Sequence, residues 1–108
     1  MLTSVTTVVE RRTVLRESGT TVPFEAAWAS EAMFFVQAEP GHPVLAVQPE
    51  VSPDGLVWAP WGTGGTLAPS DPVLPVAVAN FGTWLRLRIE GPSPESPATV
   101  LVHLTLKG

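Results

Sequence analysis

The sequence predicts an all-β fold, a single antiparallel β-sandwich of jelly-roll-like type with about seven or eight strands. Three observations predict it. Near the C-terminus two segments alternate apolar and polar residues with the period of strands that bury one face: Leu85, Leu87 and Ile89 against Arg86, Arg88 and Glu90, then Val100, Val102, Leu104 and Leu106 against Thr99, His103 and Thr105. Turn signals recur roughly every 8–12 residues along the chain. The 12 prolines and 9 glycines fall between segments rich in valine, threonine and aromatic residues, and hydrophobic residues make up 44% of the chain, so the breakers punctuate folded segments and do not mark disorder.

Taken in order, residues 2–17 hold no Gly, Pro, Asn or Asp and are rich in Val and Thr, which predicts strand with no place for a tight turn. Some fifteen residues of strand would span roughly 50 Å, against a usual length of about 5–6 residues. Two outcomes follow. The strand bends at a bulge near Glu10-Arg11-Arg12, where the alternation changes phase, and crosses between sheets, or its first part leaves the domain as an arm. The expected organisation is therefore an N-terminal strand or assembly arm over residues 1–17 and a sandwich over residues 18–108.

Ser18-Gly19-Thr20-Thr21 is a turn, and Phe24, Ala26 and Trp28 then share one face of a core strand, with Ser30-Glu31 turning into the strand at 32–39; the alanine content of residues 25–33 leaves a helix as the alternative there. Pro40-Gly41-His42-Pro43 breaks the chain. Strands at 44–51 and 56–58 flank Ser52-Pro53-Asp54-Gly55, in which Pro suits the second turn position and Gly the left-handed one, so a hairpin is expected with Trp58 near Pro49. Pro49 and Pro75 each imply an edge or a bulge, because proline cannot donate to a ladder. Residues 59–72, with Trp61-Gly-Thr-Gly-Gly-Thr66, read as a long flexible loop. Gly91-Pro-Ser-Pro-Glu-Ser-Pro97 joins the last two strands, which are expected to pair as a hairpin.

At 108 residues the chain is one domain that can bury roughly two-thirds of its unfolded surface. With no cysteine there is no disulfide, thiolate zinc site or Cys nucleophile. A net charge of −4 disfavours nucleic acid as partner, and no apolar run approaches the ~20 residues of a membrane helix, so neither nucleic acid nor membrane insertion is expected. The N-terminus lacks the basic start and apolar run of a leader, which predicts synthesis in the cytoplasm without a signal peptide. A single Asn, two Gln, no Cys and many loop prolines match thermophile usage, although a GC-rich genome favours the same residues.

No residues announce catalysis, a cofactor or a metal. His42 sits in a breaker and His103 in a strand, with no second ligand at a useful spacing. The carboxylates are dispersed, and Asp54 reads as a turn residue. Gly62-Thr-Gly-Gly65 lacks the Lys-Ser/Thr ending and the following helix of a phosphate loop. Two groups of candidates remain. Trp58, Trp61 and Trp84 could stack sugar rings, although packing is the commoner use of Trp, with Trp28 and Trp58 expected in the core. Arg86 and Arg88, with His103 and Lys107, would make a basic face able to meet the carboxylates of a neighbouring copy.

The run Val51-Ser-Pro-Asp-Gly-Leu-Val-Trp58, then a Gly-rich loop, then Phe81-Gly-Thr-Trp-Leu-Arg-Leu-Arg-Ile-Glu-Gly91 and a terminal Val/Leu strand resembles small uncharacterised β-sandwich domains of spore-surface or appendage proteins and phage structural proteins. The resemblance covers the C-terminal half and implies a fold and a role in a surface or particle assembly. The functional expectation is a non-enzymatic structural subunit that assembles with copies of itself into a filament or particle outside the cell or in a virion or spore. Its assembly residues would be Thr3, Val5, Thr7, Val8 and Val9, added as a strand to a neighbour's sheet, together with Arg86 and Arg88. The alternatives are a carbohydrate-binding or adhesion module using the tryptophans, and a phage decoration or fibre protein.

Overall fold

Alternation of the kind seen at Leu85, Leu87 and Ile89 gives a strand one apolar face, and two such sheets hide those faces only by packing against each other. The computed structural model, which describes residues 3–108, has that arrangement. Ten strands form: β1 (Ser4–Leu15), β2 (Gly19–Thr20), β3 (Phe24–Glu25), β4 (Glu31–Ala38), β5 (Leu45–Ser52), β6 (Ala59–Pro60), β7 (Gly65–Leu67), β8 (Leu74–Ala79), β9 (Trp84–Glu90) and β10 (Ala98–Lys107). The first sheet runs β1-β10-β4-β8. The second runs β2-β9-β5-β6, with β3 also on β9 and β7 also on β5, and every pairing in both sheets is antiparallel.

β2 and β3 lie one after the other along β9, and β6 and β7 along β5, so the ten segments fill eight strand positions. Successive positions alternate between the sheets except at the β5–β6 turn. This is a jelly-roll order, as the alternation and turn spacing predict. The core is built from the inward residues of both sheets, among them Phe34 and Val36, Leu45 and Val47, Leu85 and Leu87, and Leu104 and Leu106, each no more than 3% exposed.

Several expectations are corrected. The last two strands do not form a hairpin: β9 pairs with β5, β10 pairs with β1 and β4, and residues 91–97 cross from one sheet to the other. An apolar face reads the same whether its neighbour lies beside it or opposite it, so alternation could not separate the two cases. Gly91 makes the crossing possible. It has φ +126°, and a Cβ there would collide with the Val44 carbonyl.

Residues 56–58 are not strand, because the Asp54 carboxylate Oδ1 accepts the backbone N–H of Leu56 at 2.8 Å and of Val57 at 3.0 Å, taking donors a ladder would need. Trp58 accordingly stands beside Ser52, and it is Trp61 whose N–H reaches the Pro49 carbonyl, at 3.0 Å. β3 stops at Glu25, and the chain turns at Ala26, whose carbonyl takes the N–H of Ala29. That turn leaves Trp28 48% exposed against the backbone of Gly108 and not in the core.

The long N-terminal strand does bend where its alternation breaks. β1 follows β10 in register from Ser4 opposite Lys107 to Val8 opposite His103, then shifts between Val8 and Glu10 and again between Glu10 and Thr13, with Arg12 at φ 49°. It nevertheless remains on β10 to Leu15, so the chain changes sheet after the bulge and not at it. Pro75 lies on edge strand β8, as expected. Pro49 lies on a central strand, but its carbonyl points toward β6 and β7, so its nitrogen does too, at the break where β7 pairs residues 45–47 and β6 pairs residues 50–51.

Candidate functional site

The outer faces of the two sheets and the free strand edges carry the candidate residues. On the second sheet the outward residues of β5 and β9 stand opposite one another: Ser52 with Trp84, Glu50 with Arg86, Gln48 with Arg88, and Ala46 with Glu90. Arg86 Nε donates to Glu50 Oε1 at 2.7 Å, and its guanidinium carbon lies 4.1 Å from the centroid of the Trp58 ring. Glu50 is buried on a face that sequence periodicity assigns to solvent, because the 52–58 turn folds back over it.

The turn holds itself in that position. Ser52 Oγ donates to Asp54 Oδ1 at 3.0 Å and accepts the N–H of Gly55 at 2.8 Å, while Trp58 Nε1 donates to the Gly55 carbonyl at 3.3 Å. Gly55 has φ +80° and lies against the Trp84 ring, so that a Cβ there would touch the ring at 3.4 Å. The N–H donors of Leu56 and Val57, followed by the Ser52 hydroxyl, hold the Asp54 carboxyl below its ordinary value of 3.8. Asp54 Oδ1 already takes three donors and Glu50 Oε1 takes Arg86 Nε, whose charge neutralises Glu50. Among the described residues, no buried side-chain polar atom lacks a hydrogen-bond partner, and no cluster of three or more His, Asp or Glu could hold a metal ion.

The three tryptophans expected to form a sugar platform are only partly brought together. Trp58 and Trp61 line an open groove of about 380 Å³ at one end of the sandwich, floored by Val51, Pro53 and Phe81. Trp84 lies outside it. One face of Trp58 is covered by Arg86, one face of Trp84 by Gly55, and Trp61 Nε1 donates to the Ala79 carbonyl at 2.7 Å, tying the second sheet to edge strand β8 of the first. Beside the groove Leu56 is 82% and Val57 70% exposed, which is unusual for residues of their size.

The expected assembly residues divide between opposite sides of the molecule. Thr3, Val5, Thr7, Val8 and Val9 belong to β1 or its start on the first sheet, whereas Arg86 and Arg88 project from the second. Arg88 pairs with Glu90 at 3.2 Å, so both arginines meet carboxylates of their own chain. His103 is not beside them either, since its cross-strand neighbours are Val8 and Phe35. His42 is buried, its Nδ1 donating to the Pro43 carbonyl at 2.6 Å.

The N-terminal segment does not project from the described structure as an arm; it is hydrogen-bonded to β10. Gly108 N–H donates to the Thr3 carbonyl at 2.9 Å and Thr3 N–H to the Gly108 carbonyl at 3.4 Å, so Thr3 and Gly108 form a bonded pair. Bonded and non-bonded pairs alternate in an antiparallel ladder. Val5 and Thr7 therefore bond to β10, while Ser4, Thr6 and Val8 turn their N–H and C=O groups outward. The 3.0 Å contact between the Thr6 and Thr105 hydroxyls fits the closer side-chain spacing of a non-bonded pair. Among the described residues no strand lies beyond β1. That outward row and the Glu50–Arg86–Trp58 clasp were not legible in the sequence, since each depends on which strand lies beside which.

No family model matches the chain, and no curated protein is similar to it in sequence. Solved structures do share its fold. All of the chain superposes on part of a family two carbohydrate esterase from Cellvibrio japonicus, with a TM-score of 0.51 and 13% identity, covering 34% of that protein. It also superposes on a chain from the structure of infectious bursal disease virus Gx strain, with a TM-score of 0.52 and 12% identity, covering 32% of that chain. The protein thus spans about a third of the length of each, and at these identities the likeness is one of fold.

Proposed function

We propose that this protein is a non-enzymatic structural subunit that enters a larger assembly, a filament or a particle outside the cell or in a virion or spore, by strand addition at the outer edge of β1. The observation that carries the reading is the contrast among the edges. A sheet edge exposes unpaired N–H and C=O groups, and proteins that remain monomeric blunt it with short strands, proline or charge. In the second sheet the edges are the two-residue β2 and β3 and the short β6 and β7, and β8 in the first carries Pro75. Residues 4–9 of β1 carry no charge, proline or glycine.

The strand, for which a projecting arm was one of two expected outcomes, serves here from its place in the sheet, presenting its second edge to a partner. Jelly rolls serve both as particle shells and as sugar-binding domains, and the similarity to a viral chain and to part of an esterase is compatible with either use. Mass measurement by light scattering and sedimentation, beside the variant Thr6→Pro, tests the reading. Thr6 turns its N–H outward, so proline there removes a donor from the free edge and none from the β1–β10 ladder. Wild-type assemblies that dissociate in a folded Thr6→Pro protein are the expected result; a wild-type monomer at all concentrations, or assemblies indifferent to the substitution, would overturn it.

A second reading rests on the groove between Trp58 and Trp61, beside the exposed Leu56 and Val57: a carbohydrate-binding or adhesion surface. Tryptophan emission titrated with a glycan panel tests it, with Trp61→Ala as control. Emission unchanged across the panel would remove this reading.

A further inference from the structure

We infer that the partner at the β1 edge is a second copy of this chain, bound antiparallel about a two-fold axis through Thr6, so that the two first sheets join into one continuous sheet and this dimer is the unit from which the larger assembly is built. The inference rests on the reading of β1 as the assembly edge and names its occupant. Three properties of the edge select a copy of itself.

The straight part of β1 ends at the register shift between Val8 and Glu10, and the outward groups within it belong to Ser4, Thr6 and Val8. This set is symmetric about its own middle. Laid antiparallel on a copy, Thr6 meets Thr6 and Ser4 meets Val8, and each of these pairs exchanges both its hydrogen bonds. Moving the copy by two residues toward the bulge sets Ser4 against Glu10, beyond the register shift, and moving it either way separates the two Thr6 residues. The bulge thus bounds the register on one side, and the threonine pair fixes it.

The side chains agree with it. On the outer face Thr6 already contacts Thr105, and the axis places a second Thr6 beside it, a cross-strand threonine pair of a kind that stabilises sheets. On the inner face the Val5 of each copy falls opposite the Thr7 of the other as a closely spaced non-bonded pair. Val5, 40% exposed at the open margin of the core, gains a cover there. Charge permits the contact as well, since residues 3–9 are uncharged and two copies bring no like charges together.

A head-to-tail alternative would place β1 on the β8 edge of the next copy and would not close, giving a filament. It meets Pro75, the second residue of β8, whose missing N–H takes one donor from that edge.

Spin labels distinguish these geometries, because Ala77, Met33, Thr105 and Thr6 lie on one row across the sheet. The protein has no cysteine, so Thr105→Cys and Ala77→Cys each carry a single nitroxide. With strands about 4.8 Å apart, the two-fold puts the Thr105 backbones roughly 15 Å and the Ala77 backbones roughly 34 Å from their counterparts. Head-to-tail stacking gives the same spacing at both positions. Expected are a particle of twice the chain mass, two different label distances in that order, and loss of both in Thr6→Pro. Thr6→Lys, which sets two ammonium groups across the axis on an exposed position, gives the same dissociation and stands in should Thr6→Pro fail to fold. Growing polymers with equal label distances that dissociate in either variant would overturn the two-fold and leave the β1 edge as the assembly site. A monomer throughout, or a dimer that both variants leave intact, would overturn the two together.

Discussion

Removing the Arg86 side chain should destabilise the protein far more than a surface arginine would, because two contacts end together at a largely buried place. Its Nε lies 2.7 Å from Glu50 Oε1, its guanidinium covers the Trp58 ring at 4.1 Å, and the two ionic side chains keep only 20% and 12% of their exposure. Exposed ion pairs contribute about 0–1 kcal/mol. Stripping one partner from a buried pair costs about 3–5 kcal/mol, since the other charge remains desolvated and uncompensated. The residual exposure of Arg86 and Glu50 places Arg86→Ala near the lower end, about 3 kcal/mol, with the indole contact included. For a domain of this size that corresponds to a melting temperature lower by roughly 12–24 °C. Urea unfolding followed by tryptophan emission measures the loss, and the cycle of Arg86→Ala, Glu50→Ala and the double variant isolates the pair, with a coupling of about 2 kcal/mol expected. Arg86→Met combined with Glu50→Leu should recover most of the stability, because apolar replacements of similar volume leave no charge stranded. A loss below about 1 kcal/mol for Arg86→Ala, with coupling near zero, would show that water screens the pair and that the clasp does not hold the turn.

Gly91→Ala should cost about 3 kcal/mol or more or abolish folding, since it adds a Cβ in the left-handed region against the Val44 carbonyl, whereas Gly41→Ala, with open space around it, should cost only its backbone strain of about 1–2 kcal/mol; chemical denaturation of both compares them. Leu104→Ala, at a fully buried position in the strand shared by β1 and β4, should lower stability by about 3–4 kcal/mol in the same assay. The Asp54 carboxyl titrates below 3.8 when folded, so its charged form stabilises the turn at neutral pH and that contribution disappears as the pH falls through the folded value. Asp54→Asn should therefore be less stable than the parent at pH 7, and the difference should close below about pH 3.8, as read from unfolding curves across the acid range.

The local pattern alone determined much of this protein. Alternation set which residues of β9 and β10 face inward, the absence of breakers over residues 2–17 made one long strand, and the phase change at Glu10-Arg11-Arg12 placed its bulge. These are properties of a residue and its immediate neighbours, and a period of two survives whatever lies beside the strand. Tertiary structure decided the partners. Only the fold sent β9 and β10 to opposite sheets, laid the two-residue strands β2 and β3 along β9, drew Glu50 under Arg86 and Trp58, and turned Trp28 outward. Two strands with the same apolar face are equally satisfied side by side or face to face, and loop closure and competition among all the segments for one core select between the two. The same holds for the edge of β1: its uncharged residues are plain in the sequence, but that they lie at an edge depends on β10 having β4, and not another strand, on its far side.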